Sequence, residues 1–210
     1  MPAPDPTVAA AVFSPDRLPL LERYAGVLAT DALVRGLIGP REVPRLWDRH
    51  LINCGLLGPL IPEGAAVADL GSGAGLPGLV LAIARPDLRV TLVEPMARRV
   101  TFLEETCARL HLPNATVVRE RAGEWPGAGP FDVVTARALA SLSRLVRWGI
   151  PLLADRGELL AMKGSSAQEE VAAAEPELRR VSAHAEIVCC SVPGSSVTTV
   201  VRVARIGRRG

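Results

Sequence analysis

The sequence predicts an α/β protein with a mostly parallel, seven-stranded sheet whose last strand is antiparallel. From residue 67 to about residue 180, short apolar runs alternate with helical patterns, which is typical of parallel strands joined by crossover helices. Two further β-rich runs, near 181–190 and 197–204, have no convincing helical pattern between them. Because strands joined by a short link pair in opposite directions, these runs predict an antiparallel end to the sheet.

The same change of pattern divides the chain into two parts. We expect residues 1–62 to form an N-terminal tail and helical cap, and residues 63–210 to form the α/β domain, with both parts in one compact unit. Residues 1–12 are rich in Pro and Ala and have no clear period. This composition predicts a loose tail.

Three helical pieces are predicted in the cap. Ser14-Pro15 is typical of a helix start, and helical spacing of apolar residues continues to about residue 29. A second piece covers 31–38, and a third begins near residue 41 with a long apolar stripe. This stripe places His50 on the inward side of the third helix.

In the α/β part, strands are predicted where apolar and β-branched residues run between Gly, Pro or Asp. The predicted strands are 67–70, 89–94, 115–118, 131–135, 158–162, 181–190 and 197–204. Apolar residues that recur every three or four positions predict the helices. The predicted helices are 77–84, 96–110, 141–150 and 167–174. Asp155-Arg156-Gly157 predicts a turn before the fifth strand.

The first strand leads into a glycine-rich loop with the sequence VADLGSGAGLPG, residues 67–78. Its G-x-G-x-x-G spacing alone is weak evidence for a dinucleotide. Asp69 lies two residues before the first glycine, and its charge would repel a diphosphate but not a cationic ligand such as S-adenosylmethionine. Glu94 ends the second strand, where a carboxylate can accept both ribose hydroxyl protons. The alternative is a structural turn beside a surface acid.

Composition limits the possible partners and compartment. The net charge is +2, and Lys163 is the only lysine among the 24 basic residues. Arginine suits phosphate and base contacts, but compositional bias is the favoured explanation of this preference. The four cysteines show no metal-ligand spacing, and we expect no metal. The absence of a signal peptide or of a membrane-length apolar run predicts a cytoplasmic protein without membrane contact.

Four segments resemble the ribosomal RNA small subunit methyltransferase G family, also called glucose-inhibited division protein B. They are VADLGSGAGLPG, TLVEPMARRVTFLEE, FDVVTARALASL and LLAMKG. The resemblance implies a class I S-adenosylmethionine-dependent methyltransferase with a Rossmann-like sheet. It also implies methylation of N7 of one guanine in 16S rRNA, in the decoding-region loop of the 30S ribosomal subunit. We expect a monomer.

The resemblance also implies cofactor contacts. It places them in the glycine loop, after the third strand and after the fourth strand. With Asp69 and Glu94, the predicted cofactor residues are Gly71, Gly73, Gly75, Leu76, Ala122, Gly123 and Arg137. Two positions depart from the family pattern. The family often has an acid where Gly123 stands, so that contact is lost or passes to Glu124; Asn53-Cys54 replaces a common Asp-Ser in the cap.

Guanine N7 has a free lone pair and no proton to remove, so no general base is needed and orientation dominates catalysis. The catalytic candidates are therefore orienting residues, Arg137 and His50. Arg137 follows the fourth strand, at the edge of the sheet where ligands bind; it contacts a ligand, or it ties this strand to the cap by a salt bridge. His50 contacts the substrate, or it is a hydrogen-bonded core histidine.

Basic residues near the predicted site are candidates for RNA binding. They are Arg49, Arg98, Arg99 and Lys163. A solvated face is the alternative for the arginines, and a basic C-terminal tail is the alternative for Arg202, Arg205, Arg208 and Arg209. Two other functions stay open: methylation of a small molecule, and a non-enzymatic module that binds an adenosine nucleotide.

Overall fold

The computed structural model describes residues 4–126 and 129–206. Its centre is one seven-stranded sheet with the order β3-β2-β1-β4-β5-β7-β6. The strands are β1 Ala66–Leu70, β2 Arg89–Val93, β3 Ala115–Val118, β4 Phe131–Arg137, β5 Leu153–Lys163, β6 Ala183–Cys190 and β7 Thr198–Arg205. Strand β7 is antiparallel to both neighbours, and the pairs among β1 to β5 are parallel. The predicted sheet is confirmed.

Helices cover both faces of this sheet. They are α1 Pro6–Val12, α2 Leu18–Val27, α3 Asn53–Gly55, α4 Gly78–Ala84, α5 Ala97–Leu110, α6 Leu142–Gly149 and α7 Ala167–Arg180. Alternate strand residues point to opposite faces, so Val67 joins a core with the cap, α4 and α5, whereas Ala68 joins a core with α6 and α7. Within 4–126 and 129–206, no helix has the length and apolar character needed to cross a membrane.

The cap packs directly on the sheet. Leu21, Tyr24 and Leu51 lie in the same buried cluster as Leu79 of α4 and Val133 of β4. Because cap and sheet residues share this core, each part covers apolar surface that the other would otherwise expose to water. The division of the chain at residue 62 stays a prediction.

The predicted loose tail is wrong for residues 4–12; residues 1–3 lie outside the described part. This segment contains α1, whose N-terminus is capped by Asp5 Oδ1, which accepts from Thr7 N at 2.8 Å and Val8 N at 3.3 Å. Val8 and Ala9 are buried. A side-chain cap and a short apolar face therefore compensate for the weak helical period.

The cap is helical, but its helices differ from the predicted ones. Ser14-Pro15 precedes a turn, and α2 begins only at Leu18. No break separates the first two predicted pieces, because α2 continues into a π-helical segment, Leu28–Ala32. The third piece is a 3₁₀ segment, Pro40–Arg45, then a π segment, Leu46–Ile52, then α3. Pro44 lies inside the 3₁₀ segment, where its missing N–H disfavours a regular α-helix.

Two later boundaries also differ. Strand β5 runs through the predicted turn at 155–157, because β4 shifts its register against β5 between Phe131 and Val133 and so accommodates an irregular strand. A Cβ on residue 157 would lie 2.7 Å from Phe131 O, so only glycine allows β5 to pass this close to the backbone of β4. Helix α7 continues to Arg180, beyond the predicted end at 174, and buries Leu178.

The cap of α1 gives a testable prediction. We expect Asp5→Ala to lower the free energy of unfolding by about 0.5–2 kcal/mol, because two N–H groups of the first turn lose their acceptor. Denaturant titration followed by circular dichroism measures this change. Asp5→Asn is the matched control, since an amide oxygen also caps helices well. Equal stability of Asp5→Ala and the wild type would contradict a stabilising role for α1.

Candidate cofactor and substrate site

The glycine loop connects β1 to α4 at the carboxyl edge of the sheet. Gly71 and Gly75 have φ of +69° and +96°, a region that side chains rarely allow. A Cβ on Gly71 would lie 2.5 Å from Leu139 Cδ1, and one on Gly75 would meet the side chain of Leu79. Both the backbone conformation and the close packing therefore require glycine.

Asp69 anchors the far end of this loop. Its side chain is fully buried, and Oδ2 accepts from Gly78 N at 3.0 Å, at the start of α4. Burial, together with the charge of Glu94, raises the pKa of Asp69 to about 7, so its negative charge is reduced at neutral pH. A partly neutral Asp69 attracts a cationic ligand less strongly than the charged acid expected from the sequence. Direct contact between Asp69 and the cofactor stays a prediction.

Glu94 holds the near end of the loop. It is buried after β2, and its oxygens accept from Gly73 N at 3.1 Å and from Met96 N at 3.0 Å. Each carboxylate oxygen can accept a further hydrogen bond, so these contacts leave capacity for a ribose hydroxyl. Arg99 Nη1 lies 3.5 Å from Glu94 Oε2. This places Arg99 beside the predicted cofactor site.

A cavity of about 360 Å³ opens beside the loop. Gly71, Ala122 and Gly123 line it, so the structure brings together predicted cofactor residues from two separate loops. A Cβ on Gly123 would lie 2.5 Å from Trp148 Nε1. The indole therefore fills the space that an acid at this position would need. Glu124 lines the same cavity and lies 3.4 Å from Arg121; its role in place of the missing acid stays a prediction.

The other predicted loop residues contribute less directly. Leu76 packs against the apolar core, and Gly73 reaches the site through its N–H bond to Glu94. The loop geometry, the backbone N–H groups and the buried acid at the end of β2 nevertheless fit an adenosine-containing cofactor.

Arg137 extends from the end of β4 into the cap. Its guanidinium donates to Arg49 O at 3.2 Å and Cys54 Sγ at 3.4 Å, and lies 2.9 Å from His50 Nδ1. The alternative that Arg137 joins β4 to the cap is thus realised by hydrogen bonds to neutral groups, and no carboxylate of residues 4–126 or 129–206 forms a salt bridge with it. Its contact with cofactor or substrate stays a prediction.

His50 links Arg137 to an acid that the sequence did not indicate, Glu42. Nε2 of His50 lies 2.8 Å from Glu42 Oε2. Because arginine has only donors, Nδ1 must accept from Arg137, and the ring proton lies on Nε2. Burial and then the charge of Arg137 lower the pKa of His50, which favours this neutral form. Glu42 lies in the 3₁₀ segment, where the change of helical period removes any spacing signal that relates it to His50.

A second cavity, also of about 360 Å³, lies between the cap and the carboxyl ends of β4 and β5. Glu42, Arg49 and Arg137 line it. The two cavities flank the segment after β4, because Ala138 borders the second and Leu139 borders the first. A cofactor and an acceptor could therefore approach each other across residues 137–139.

Lys163 is hydrogen-bonded to the segment that follows β4. Its Nζ donates to Ala140 O and to Glu170 Oε2, both at 2.7 Å, and Glu170 Oε2 also accepts from Leu142 N at 2.8 Å. The predicted contact of Lys163 with RNA has no direct support in this arrangement. Sequence reasoning missed Glu170, whose role depends on a neighbouring helix.

The predicted RNA-binding arginines differ in their surroundings. Arg49 and Arg98 are exposed, and neither forms a salt bridge with another residue of the described part. Their guanidinium groups are therefore accessible to phosphate. Arg202 pairs with Glu158 and Glu186, whereas Arg208 and Arg209 lie outside the described residues.

The fold is shared with solved methyltransferases. A SAM-dependent O-methyltransferase from Thermotoga maritima is similar over 80% of this chain and 71% of that chain, with 14% identity and a TM-score of 0.59. A SAM-dependent methyltransferase from Aquifex aeolicus is similar over 80% of this chain and all of that chain, with 17% identity and a TM-score of 0.57. The fold and the glycine loop are those of class I S-adenosylmethionine-dependent methyltransferases.

The sequence comparisons identify the family. A family model described as rRNA small subunit methyltransferase G matches residues 17–196. Two proteins named Ribosomal RNA small subunit methyltransferase G are similar: one from Nocardioides sp. is 63% identical over 83% of this chain and 70% of its own length. The other, from Salinispora tropica, is 52% identical over 97% of this chain and 88% of its own length. The chain belongs to the rRNA small subunit methyltransferase G family.

The close packing of Leu139 on Gly71 gives a second prediction. We expect Gly71→Ala to weaken S-adenosylmethionine binding about tenfold, equivalent to about 1.4 kcal/mol, because the new methyl group must displace Leu139 at the wall of the cavity. Isothermal titration calorimetry measures the affinity.

Gly36→Ala is the matched control for backbone strain. Gly36 has φ +66°, close to that of Gly71, but a Cβ there would meet nothing within 4 Å. Both variants share a strain of about 1–2 kcal/mol, and only Gly71→Ala changes the cavity. Equal cofactor affinities for the two variants would contradict the assignment of Gly71 to the cofactor site.

Proposed function

We propose that this protein transfers the methyl group of S-adenosylmethionine to N7 of one guanine in 16S rRNA, in the decoding-region loop of the small ribosomal subunit. Family membership supports this proposal. The observation that carries it is the position of two cavities next to residues 137–139, one beside the glycine loop and one bordered by Arg49 and Arg137. We place the reaction in the cytoplasm, on RNA within or destined for the 30S particle.

The chemistry suits the groups at this edge of the sheet. Bound S-adenosylmethionine supplies an electrophilic methyl group, and N7 of guanine supplies a lone pair without losing a proton. The protein residues therefore need only to bind and orient the two reactants, an effect of up to about 7–11 kcal/mol. The glycine loop and Glu94 hold one side, while Arg137, fixed by His50, borders the other.

RNA would be held largely through its phosphates. Arg49 borders the second cavity, and Arg98 lies at the start of α5, beside the cofactor loop. These positions would allow arginines on either side of the two cavities to contact a strand whose target base enters the second cavity. We propose Arg49 and Arg98 as phosphate contacts, and Arg99 as a residue oriented mainly by Glu94.

The proposed activity is tested directly with 30S subunits that lack the modification. Incubation with methyl-labelled S-adenosylmethionine should produce 7-methylguanosine at one position of 16S rRNA, located by digestion and mass spectrometry. Binding to RNA should weaken as salt rises, with a log–log slope of about −0.7 for each single-strand phosphate neutralised. Absence of 7-methylguanosine, or methylation of a small molecule instead, would refute the proposal.

Arg137→Ala should lower kcat/KM for methyl transfer at least about 100-fold, the effect of a small misplacement of reacting groups. The protein should still fold, since the sheet does not depend on this side chain. Arg156→Ala is the matched control, because Arg156 borders a separate cavity near the other end of β5. Methylation kinetics and thermal unfolding are measured for both variants. If Arg137→Ala lowers the melting temperature and leaves kcat/KM unchanged, Arg137 serves only to join β4 to the cap.

A further inference from the structure

The second cavity combines hydrogen-bond donors and an acceptor in a way that suits one kind of base. We propose that it binds the acceptor guanine, with the carboxylate of Glu42 recognising the N1–H and 2-amino groups on the Watson–Crick edge. This inference rests on the proposed function and deepens it by naming the residue that would select guanine.

The position of the cavity fits an acceptor site. The cap contributes Glu42 and Arg49, the end of β4 contributes Arg137 and Ala138, and the start of β7 contributes Thr198. The cofactor cavity lies on the other side of the segment 137–139. A base in the second cavity would therefore have one edge against the cap and another edge toward the transferred methyl group.

Glu42 has one oxygen available to a ligand. Oε2 is engaged by His50 Nε2 at 2.8 Å, whereas Oε1 has no hydrogen-bond partner among the residues that the structure describes. The side chain is 35% exposed, so a ligand in the cavity can reach it. Within the described ranges, no guanidinium nitrogen lies within 4.0 Å of a carboxylate oxygen of Glu42, so no arginine satisfies Oε1.

This free acceptor distinguishes guanine from adenine. A carboxylate accepts hydrogen bonds only, and guanine presents the N1–H and 2-amino donors on its Watson–Crick edge. Adenine presents only one donor there, the 6-amino group, next to the N1 lone pair, which a carboxylate repels. Contact with Glu42 would leave guanine N7 and O6 open, and both are acceptors. Arg137, which lines the same cavity, has spare N–H donors for O6, while N7 stays free to react.

Glu42 has a second role, because its other oxygen fixes His50 and thereby Arg137. Glu42→Gln separates the two roles. The amide oxygen can still accept from His50 Nε2, so the position of Arg137 is maintained. The amide NH₂ group takes the place of Oε1 and presents a donor to the guanine donors. The variant therefore replaces the acceptor for the guanine donors by a donor, while the position of Arg137 is kept.

The experiment compares guanosine with inosine, which lacks the 2-amino group, at the target position of 30S subunits reconstituted with synthetic 16S rRNA segments. For the wild type, we expect inosine to lower kcat/KM for methylation about tenfold. For Glu42→Gln, we expect guanosine to be methylated at least about tenfold more slowly than by the wild type, and inosine to differ from guanosine by less than about twofold. Asp48→Asn, which changes an exposed acid in the neighbouring π segment of the cap, should keep the wild-type ratio.

Each outcome has a definite meaning. The same guanosine-to-inosine ratio in the wild type and in Glu42→Gln would overturn the inference, as would full activity of Glu42→Gln on guanosine. If Glu42→Gln does not fold, as judged by thermal unfolding, Glu42→Asp is used in the same comparison, because its shorter carboxylate withdraws from the base. An inactive wild type would overturn the proposed function and this inference together, whereas an active wild type with an unchanged ratio overturns the inference alone.

Discussion

Two buried carboxylates hold the glycine loop, and the cofactor site depends on them. Asp69 accepts from Gly78 N and Glu94 accepts from Gly73 N, so each end of the loop is fixed to the end of a different strand. A buried carboxylate is costly unless hydrogen bonds compensate it. Both oxygens of Glu94 accept, whereas Asp69 accepts only through Oδ2 within the described residues and has a raised pKa. A loop of glycines is otherwise free to move. The acids and the loop therefore stabilise each other, which sets the shape of the cavity beside Gly71 before any ligand binds.

The cap is joined to the site by the side chain of Arg137. Arg137 extends from β4 and is hydrogen-bonded to Arg49 O, His50 and Cys54. Because His50 is buried and neutral, it can accept from Arg137 while it donates to Glu42. The same contacts therefore dock the cap and orient the guanidinium. A change near His50 or Cys54 is therefore expected to alter both the docking of the cap and the orientation of Arg137.

The sheet was predictable from sequence because central strands such as β1 and β4 are short apolar runs that are mostly buried on both faces. The cap was less predictable: the 3₁₀ and π segments abolish the 3.6-residue period, and the helix at residues 6–12 depends on one capping acid. In the site, the glycines and Glu94 carry a local signal because a strand precedes each of them. Glu42 and Glu170 carry none, since each acquires its role only from a partner brought near by tertiary folding.

The segment after β4 is restrained along its whole length. Arg137 is bonded to the cap, Leu139 packs on Gly71, and the carbonyl of Ala140 accepts from Lys163. Ala138, between them, has φ +51°, an unfavourable conformation for alanine that persists only where the surroundings impose it. A reaction that needs no proton acceptor gains most from fixed distance and angle. The three contacts that restrain residues 137–140 would therefore aid catalysis by keeping the distance and angle between the reactants fixed.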